Sequence, residues 1–159
     1  MQRRQGYPLQ LILGYSLFYV PGLKEDDGGY LRLEVRPGVL IPRPETEGLV
    51  ALALGLLSAE RSFTGRLLDV GTGSGAIAIA AARAGASHVT AVDASADAVA
   101  YARRAAADAG VRIEVAHGDL RRHQGHYDVV TCNPPYVPTP PESESELHPA
   151  GPSHAWDAG

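Results

Sequence analysis

Four consecutive residues near the end of the sequence, Asn133-Pro134-Pro135-Tyr136, are suited to handling a planar nitrogen. The lone pair of a primary amide or aromatic amine is delocalised, so the nitrogen becomes a nucleophile only when that lone pair is drawn out of conjugation. The Asn133 side-chain oxygen and the Pro134 carbonyl can each accept one N–H of an –NH2 group, which pushes the nitrogen toward tetrahedral geometry and aims its lone pair at an electrophile. Tyr136 can stack on the planar group. Pro134 and Pro135 fix φ and bring no N–H, so no donor competes for those acceptors. The same residues would also serve as a plain Asn-Pro-Pro turn ending a strand. A second motif upstream tips the balance toward chemistry.

That motif is Asp69-Val70-Gly71-Thr72-Gly73-Ser74-Gly75, which sets three glycines between a predicted strand and a predicted helix. Backbone can approach a ligand closely there, and amide N–H groups are expected to point at it. Gly71, Thr72, Gly73 and Gly75 are therefore candidate cofactor-binding residues. The spacing Gly-x-Gly-x-Gly is not the Gly-x-Gly-x-x-Gly of dinucleotide folds, and there is no Gly-Lys-Ser/Thr ending for a nucleotide phosphate. Asp93 ends the next predicted strand, where a carboxylate can accept both hydroxyls of a ribose, each bond worth about 1.5–3 kcal/mol. This points to a nucleoside. Asp119, just past the third predicted strand, can accept the exocyclic amine of an adenine, although Gly118-Asp119 is as readily a turn. Asp69, at the end of the first strand, is placed to orient the remainder of such a ligand.

These residues need a scaffold, and the chain from Arg66 onward has the pattern of one. Strands are predicted at Arg66 to Val70, His88 to Asp93, Val111 to Ala116 and Tyr127 to Thr131, with helices at Ala76 to Ala84 and Ala96 to Ala109 closed by Gly85 and Gly110. Strands separated by helices give a parallel sheet with right-handed crossovers, and ligands of such sheets sit at the carboxyl ends of the strands, where every candidate residue falls. Upstream, Leu17 to Val20 and Tyr30 to Val35 form a predicted β-hairpin around Asp26-Asp27-Gly28-Gly29. Val39 to Glu47, rigid around its prolines, opens an apolar helix with Pro44 in its first turn and Glu45 and Glu47 at the positive end of its dipole. The division expected is a hairpin and linker segment over residues 1–45 and a ligand-binding domain over 46–159.

With 159 residues, 45% of them hydrophobic and 20% charged, one domain with a substantial core is expected. No apolar run has membrane length and no leader pattern is present, which fits a cytoplasmic protein. A formal charge of -4, and four acids with no Lys or Arg between Asn133 and Gly159, argue against binding a nucleic-acid backbone. The single cysteine, Cys132, excludes an internal disulfide. His123, His126 and Cys132 lack the paired spacing of a metal site, so no metal is expected. Cys132 is not needed as a nucleophile either, because direct transfer to nitrogen requires no covalent enzyme intermediate.

Taken together, Asp69 to Gly75, Asp93 and Asn133 to Tyr136 resemble a class I S-adenosylmethionine-dependent methyltransferase of the amide and amine N-methylating group. Gly6-Tyr7-Pro8-Leu9-Gln10, Ile12-Leu13-Gly14 and Leu40-Ile41-Pro42-Arg43-Pro44-Glu45-Thr46-Glu47 narrow the resemblance to the HemK-type glutamine N5-methyltransferases that modify peptide chain release factors. The resemblance implies a Rossmann-like α/β sheet preceded by a β-hairpin, S-adenosyl-L-methionine as cofactor with Asp69 near its methionine part, and a protein glutamine as substrate. It makes Asn133, Pro134 and Tyr136 catalytic, puts Asn133 also beside the cofactor, and adds Pro135, Arg43, Pro44, Glu45 and Thr46 to the substrate-lining residues.

By the same comparison, a helical recognition domain before Gly6 and further strands after Tyr136 would be missing. The sheet would then be incomplete at about four strands, the fourth with an unpaired outer edge, and Gly22 to Leu31 would be an insertion in the hairpin. Two other readings stay open: an adenine-N6 methyltransferase acting on nucleic acid, which uses the same four residues, and a non-catalytic cofactor-binding fragment. A nicotinamide oxidoreductase ranks behind both because of the glycine spacing.

Overall fold

The computed structural model describes residues 7–23, 28–37, 40–59, 65–119 and 124–134. Alternating side chains in the first third of the chain build a two-stranded antiparallel hairpin from β1 (Tyr15–Tyr19) and β2 (Tyr30–Glu34), with Tyr15 opposite Glu34 and Tyr19 opposite Tyr30. The alternation sends Phe18, Leu31 and Leu33 inward and leaves Leu17, Tyr19 and Tyr30 outside, where the two tyrosine rings meet edge to face at 5.5 Å. The hairpin is preceded by a single helical turn, α1 (Leu9–Leu13), which the sequence pattern did not announce. Gly14 ends it in the left-handed conformation, φ +76°, donating its N–H to the Gln10 carbonyl at 2.8 Å.

The helix α2 (Pro44–Ala59) begins on Pro44, whose missing N–H removes a donor that a helix would leave unsatisfied. From there the chain alternates β3 (Arg66–Val70), α3 (Ala76–Arg83), β4 (His88–Asp93), α4 (Ala96–Asp108), β5 (Glu114–His117) and β6 (Val129–Cys132). All four strands are parallel and their order is β5-β4-β3-β6. The expected class, a parallel α/β sheet of four strands after a hairpin, is the class observed. Among the described residues β6 pairs with β3 alone.

The hairpin strands shift slightly from their predicted bounds, β1 covering Tyr15–Tyr19 in place of Leu17–Val20 and β2 ending at Glu34 in place of Val35, and two strands of the parallel sheet also differ, each for a local reason. β5 starts at Glu114 and not at Val111, because the Val111 N–H bonds back to the Ala106 carbonyl around left-handed Gly110 and so closes α4. β6 starts at Val129 because Asp128 faces Arg66 as an irregular pair at its foot: the Asp128 N–H reaches the Arg66 carbonyl, and the Asp128 carboxylate takes the Arg66 N–H in place of a ladder carbonyl. At its other end β6 extends one residue further than expected, to Cys132 opposite Val70.

The helices lie side by side, α3 touching both α2 and α4; α2 covers β6, α3 covers β3 and β4, and α4 covers β4 and β5. The alanines of α3 let its backbone approach the sheet, so that Ala78 and Ala81 pack on Leu67, Val89, Ala91 and Val129. Phe18, Val20, Leu31 and Leu33 of the hairpin join Val50, Ile77, Ile79 and Tyr101 in one cluster. Each such side chain, fully buried, stabilises by about 1.5–3 kcal/mol. The chain runs from β3 through β4 to β5 in one direction, then returns to place β6 on the other side of β3. The carboxyl ends of β3 and β6 therefore flank the point where strand order reverses, the place at which open parallel sheets bind ligands.

Candidate functional site

The glycine loop between β3 and α3 is held from two sides. Gly71, Gly73 and Gly75 all have positive φ, at 65°, 53° and 79°. A Cβ on Gly71 would meet nothing within 4 Å, and one on Gly73 would only graze the Gly71 carbonyl at 4.0 Å, so their side of the loop is open to an incoming molecule. Gly75 serves a different purpose: a Cβ there would press on Ala102 of α4 at 3.1 Å and on Ile79 at 3.3 Å, so its absence sets how closely α3 and α4 pack.

The expectation that the loop amides point at a ligand is corrected. The N–H groups of Gly71 and Thr72 both bond to the Val92 carbonyl, that of Gly73 to Asp93 Oδ2 at 2.8 Å, and that of Gly75 to the Thr72 carbonyl. The α3 N-terminus likewise faces a carboxylate, because the Ala78 backbone N–H lies close enough to Asp69 to favour its charged form. An anion would normally settle there, and the protein supplies its own. A loop with four amides spent internally and a carboxylate under the helix does not cradle a phosphate. It suits a ligand that presents hydroxyls and neutral or cationic groups.

Asp69 is fully buried, and Thr72 donates to its Oδ2 at 2.6 Å while Thr131 donates to its Oδ1 at 2.9 Å. Thr131 lies directly opposite Asp69 in the β3–β6 ladder. Asp69 thus acts as a brace that ties the loop to β6, and its reach toward a ligand is through Thr72. Burial pushes its carboxyl up from 3.8 to about 6, against the lowering effect of the two hydroxyls and with a smaller push from Asp93. A raised carboxyl favours folding while it is protonated, so its contribution is complete below about pH 4 and is lost as pH rises through about 6. At about 1.4 kcal/mol per pH unit, the full effect is about 3 kcal/mol. Urea unfolding of wild type and Asp69→Asn across that window should show the wild type losing stability relative to the variant as pH rises, by roughly 2 kcal/mol or more between pH 4 and 7. Parallel pH dependences would refute a buried, titrating Asp69.

Asp93 closes β4 with both oxygens engaged once: Oδ2 accepts from Gly73 N–H and Oδ1 from Ser95 N–H at 2.9 Å. A carboxylate has about four acceptor sites, so each oxygen keeps capacity for a ribose hydroxyl. Ser95 caps α4, accepting the Ala98 N–H. Asp119 is half-buried two residues beyond β5, and His117 at the end of β5 lies 3.0 Å from the Ala94 carbonyl.

Asn133 follows β6 directly, half-buried, and donates from Nδ2 to Thr46 Oγ1 at 3.2 Å. That bond joins the first turn of α2 to the end of the sheet, as α2 packs on β6. Pro134 is exposed beside it, as are Arg43, Pro44 and Glu45, whereas Thr46 is buried. Pro135 and Tyr136 lie outside the described residues, as does His123.

Sequence reasoning overlooked Thr131, whose signal was its place two residues before Asn133, on the same side of the strand as Asp69's partner position. It also read Glu47 only as a dipole complement; its carboxylate accepts the Tyr19 N–H at 2.9 Å and fastens the segment to the hairpin. His126 and Cys132 fall at opposite ends of β6, and no cluster of three or more His, Cys, Asp or Glu able to hold a metal exists among the described residues. Burial and nearby Asp69 push the Cys132 thiol up, away from the range of a reactive thiolate. No described helix is long and apolar enough to cross a membrane.

Comparison with known proteins agrees with this geometry. The family described as "Methyltransferase small domain" matches residues 50–145. The chain is 40% identical over 141 residues to the release factor glutamine methyltransferase of Neisseria gonorrhoeae, covering 86% of this chain and 46% of the relative. It is 41% identical over 149 residues to that of Chlorobaculum tepidum, covering 86% and 47%, and 37% identical over 163 residues to that of Mycolicibacterium smegmatis, covering 99% and 53%. The chain thus spans about half the length of the curated relatives it matches. Among solved structures it resembles a 16S rRNA N2 G1207 methyltransferase from T. thermophilus, with a TM-score of 0.60 at 23% identity over 77% of this chain and 33% of that one. It also resembles a ribosomal protein L11 methylase from Lactobacillus delbrueckii, with a TM-score of 0.57 at 24% identity over 74% and 66%. At those identities the structural likeness speaks for the Rossmann-like methyltransferase fold and no more. A profile match over more than half the sequence, on a fold of that type, means that the chain belongs to the methyltransferase small domain family.

Proposed function

We propose that this chain carries the transfer site of an S-adenosyl-L-methionine-dependent N-methyltransferase acting on the side-chain amide of a protein glutamine, with a peptide chain release factor as the substrate protein. The observation that carries the reading is the Asn133–Thr46 hydrogen bond. It brings Asn133, which opens the Asn-Pro-Pro-Tyr motif, against Thr46 of the Pro-Arg-Pro-Glu-Thr segment at the carboxyl end of β6, the strand beside β3 and its glycine loop. The similarity to release factor glutamine methyltransferases supports the choice of substrate.

The cofactor fits the residues present. The open side of Gly71 and Gly73 admits its backbone, the remaining acceptor capacity of Asp93 suits its ribose, Asp119 stands just past β5 on the side proposed for its adenine, and the absence of a phosphate cradle matches a ligand without phosphate. When bound, it supplies an activated methyl group on a sulfonium. The protein's part is alignment. Asn133 Oδ1 and the Pro134 carbonyl take the two N–H groups of the substrate amide and turn its lone pair toward the transfer line. Tyr136 stacks on the amide plane, and Pro135 keeps the turn free of competing donors. Arg43, Pro44 and Glu45 line the approach. A cytoplasmic location goes with such a substrate.

Calorimetric titration with S-adenosylhomocysteine alongside NAD tests the cofactor, and incubation of the chain with S-adenosylmethionine and a release factor, followed by peptide mass spectrometry, tests the reaction. Saturable binding of the former compound alone and one added methyl group on a glutamine are expected. Binding of NAD in its place would overturn the proposal, and inhibition by DNA or RNA would move it to an adenine-N6 methyltransferase.

A further inference from the structure

We propose that Thr46 is a positioning residue that holds the Asn133 side-chain amide in place before the substrate. This rests on the reading of Asn133 given above. An asparagine amide has an accepting end and a donating end of nearly the same shape, and only the accepting end can take a substrate N–H. Rotated by half a turn, Asn133 would offer N–H groups to N–H groups and the substrate would be repelled. Asn133 stands past the last residue of β6, with a proline on its carboxyl side, so the strand ladder does not settle this choice. Thr46 holds the side chain: in the arrangement present its hydroxyl oxygen receives Nδ2 at 3.2 Å, which leaves Oδ1 as the end for the substrate.

Thr46 is itself well placed to hold another group still. It is buried, its β-branched side chain has restricted χ1, and its own N–H bonds to the Arg43 carbonyl at 3.0 Å in the first turn of α2. The next residue but none, Glu47, ties the same turn to the backbone of β1. α2 also rests on β6, so donor and acceptor ride on two packed elements and not on a loop. The hairpin, α2 and β6 thereby converge on one side-chain amide.

The test uses side-chain amide resonances of the uniformly 15N-labelled chain, with the Asn133 pair identified by its loss in Asn133→Ala, together with steady-state kinetics. In wild type the Asn133 pair should be ordered, with a heteronuclear NOE near backbone values. Thr46→Val, which keeps the shape and removes the acceptor, should release it to the values of an exposed asparagine and lower kcat by roughly 10- to 100-fold, with KM for the release factor and affinity for S-adenosylhomocysteine little changed. Thr46→Ser should recover the ordered signal and most of the rate. If Thr46→Val fails to fold by circular dichroism, Thr46→Ala, a better helix former, takes its place.

An amide that stays ordered without the hydroxyl overturns the proposal, whether or not the rate falls. So does a rate loss carried by KM alone, which would make Thr46 a substrate contact. If wild type transfers no methyl group to release factor and yet its Asn133 amide is ordered and is released in Thr46→Val, the positioning holds and the assigned reaction fails.

Discussion

Asn133→Ala should lower methyl transfer by about 10²–10³-fold, the cost of removing one preorganised hydrogen-bond partner from a reacting group, while affinity for S-adenosylhomocysteine stays within about threefold. The separation follows from where the groups lie. The residues proposed to hold the cofactor sit at the ends of β3, β4 and β5, whereas Asn133 stands beyond β6 and is anchored to α2 through Thr46. Loss of its side chain removes one of two acceptors for the substrate nitrogen, leaving the Pro134 carbonyl to hold the amide by a single N–H. A nitrogen held at one point keeps its lone pair conjugated, so the loss should appear in kcat. Single-turnover transfer from labelled S-adenosylmethionine, paired with calorimetry, separates the two quantities. Turnover within threefold of wild type would remove Asn133 from the reaction.

Gly75→Ala is expected to be strongly destabilising although it adds a single methyl group. At φ +79° a side chain costs roughly 1–2 kcal/mol in backbone strain, and the new Cβ meets Ala102 Cα at 3.3 Å, a backbone atom of α4 that cannot rotate away. Overpacking of this kind adds about 1–3 kcal/mol. A combined loss of about 3 kcal/mol corresponds to a fall in Tm of roughly 6–12 °C for a chain of this size, and binding of S-adenosylhomocysteine should weaken as the loop is pushed off Asp93. Gly71→Ala offers the contrast: its strain is similar but it meets no neighbour, so it should lose less stability and, by intruding on the open side of the loop, lose cofactor affinity instead. Equal melting temperatures for the two variants would show that packing against α4 is not what Gly75 protects.

The elements read most faithfully from sequence are those where one signal dominates. Arg66 to Val70 and His88 to Asp93 are short runs rich in apolar residues with an aspartate at or next to their ends, and the alanine-rich helices that follow them stop at glycines, so their bounds emerge within about a residue. The one-turn α1 was silent because five residues carry too little periodicity to register, and because none of its side chains is buried. The start of β5 was misplaced because Val111 is apolar and β-branched, yet its N–H is claimed by the helix before it.

At the site, residue types were legible and their hydrogen-bond partners were not. Asp69 reads as a ligand contact from its position at the end of a strand; only the register that sets Thr131 opposite it turns it into a brace. The spent amides of the glycine loop could not be anticipated either, since they depend on Val92 and Asp93 arriving from a separate strand. The joining of Thr46 to Asn133 bridges 87 positions of sequence and has no local signature.

The strand order also dictates an assembly sequence. β3, β4 and β5 are neighbours in the chain as well as in the sheet, so they and their helices can come together as the polypeptide lengthens, each step closing a loop of modest size. β6 must cross back and add to the far side of β3, pairing Leu67 with Val129 over a span of about sixty residues, a long-range closure that is intrinsically slow. Asp69 has its second hydroxyl partner, and Asn133 its place beside Thr46, only after that closure. By this order the Asp93 side of the sheet assembles first and the contact between Asn133 and Thr46 last.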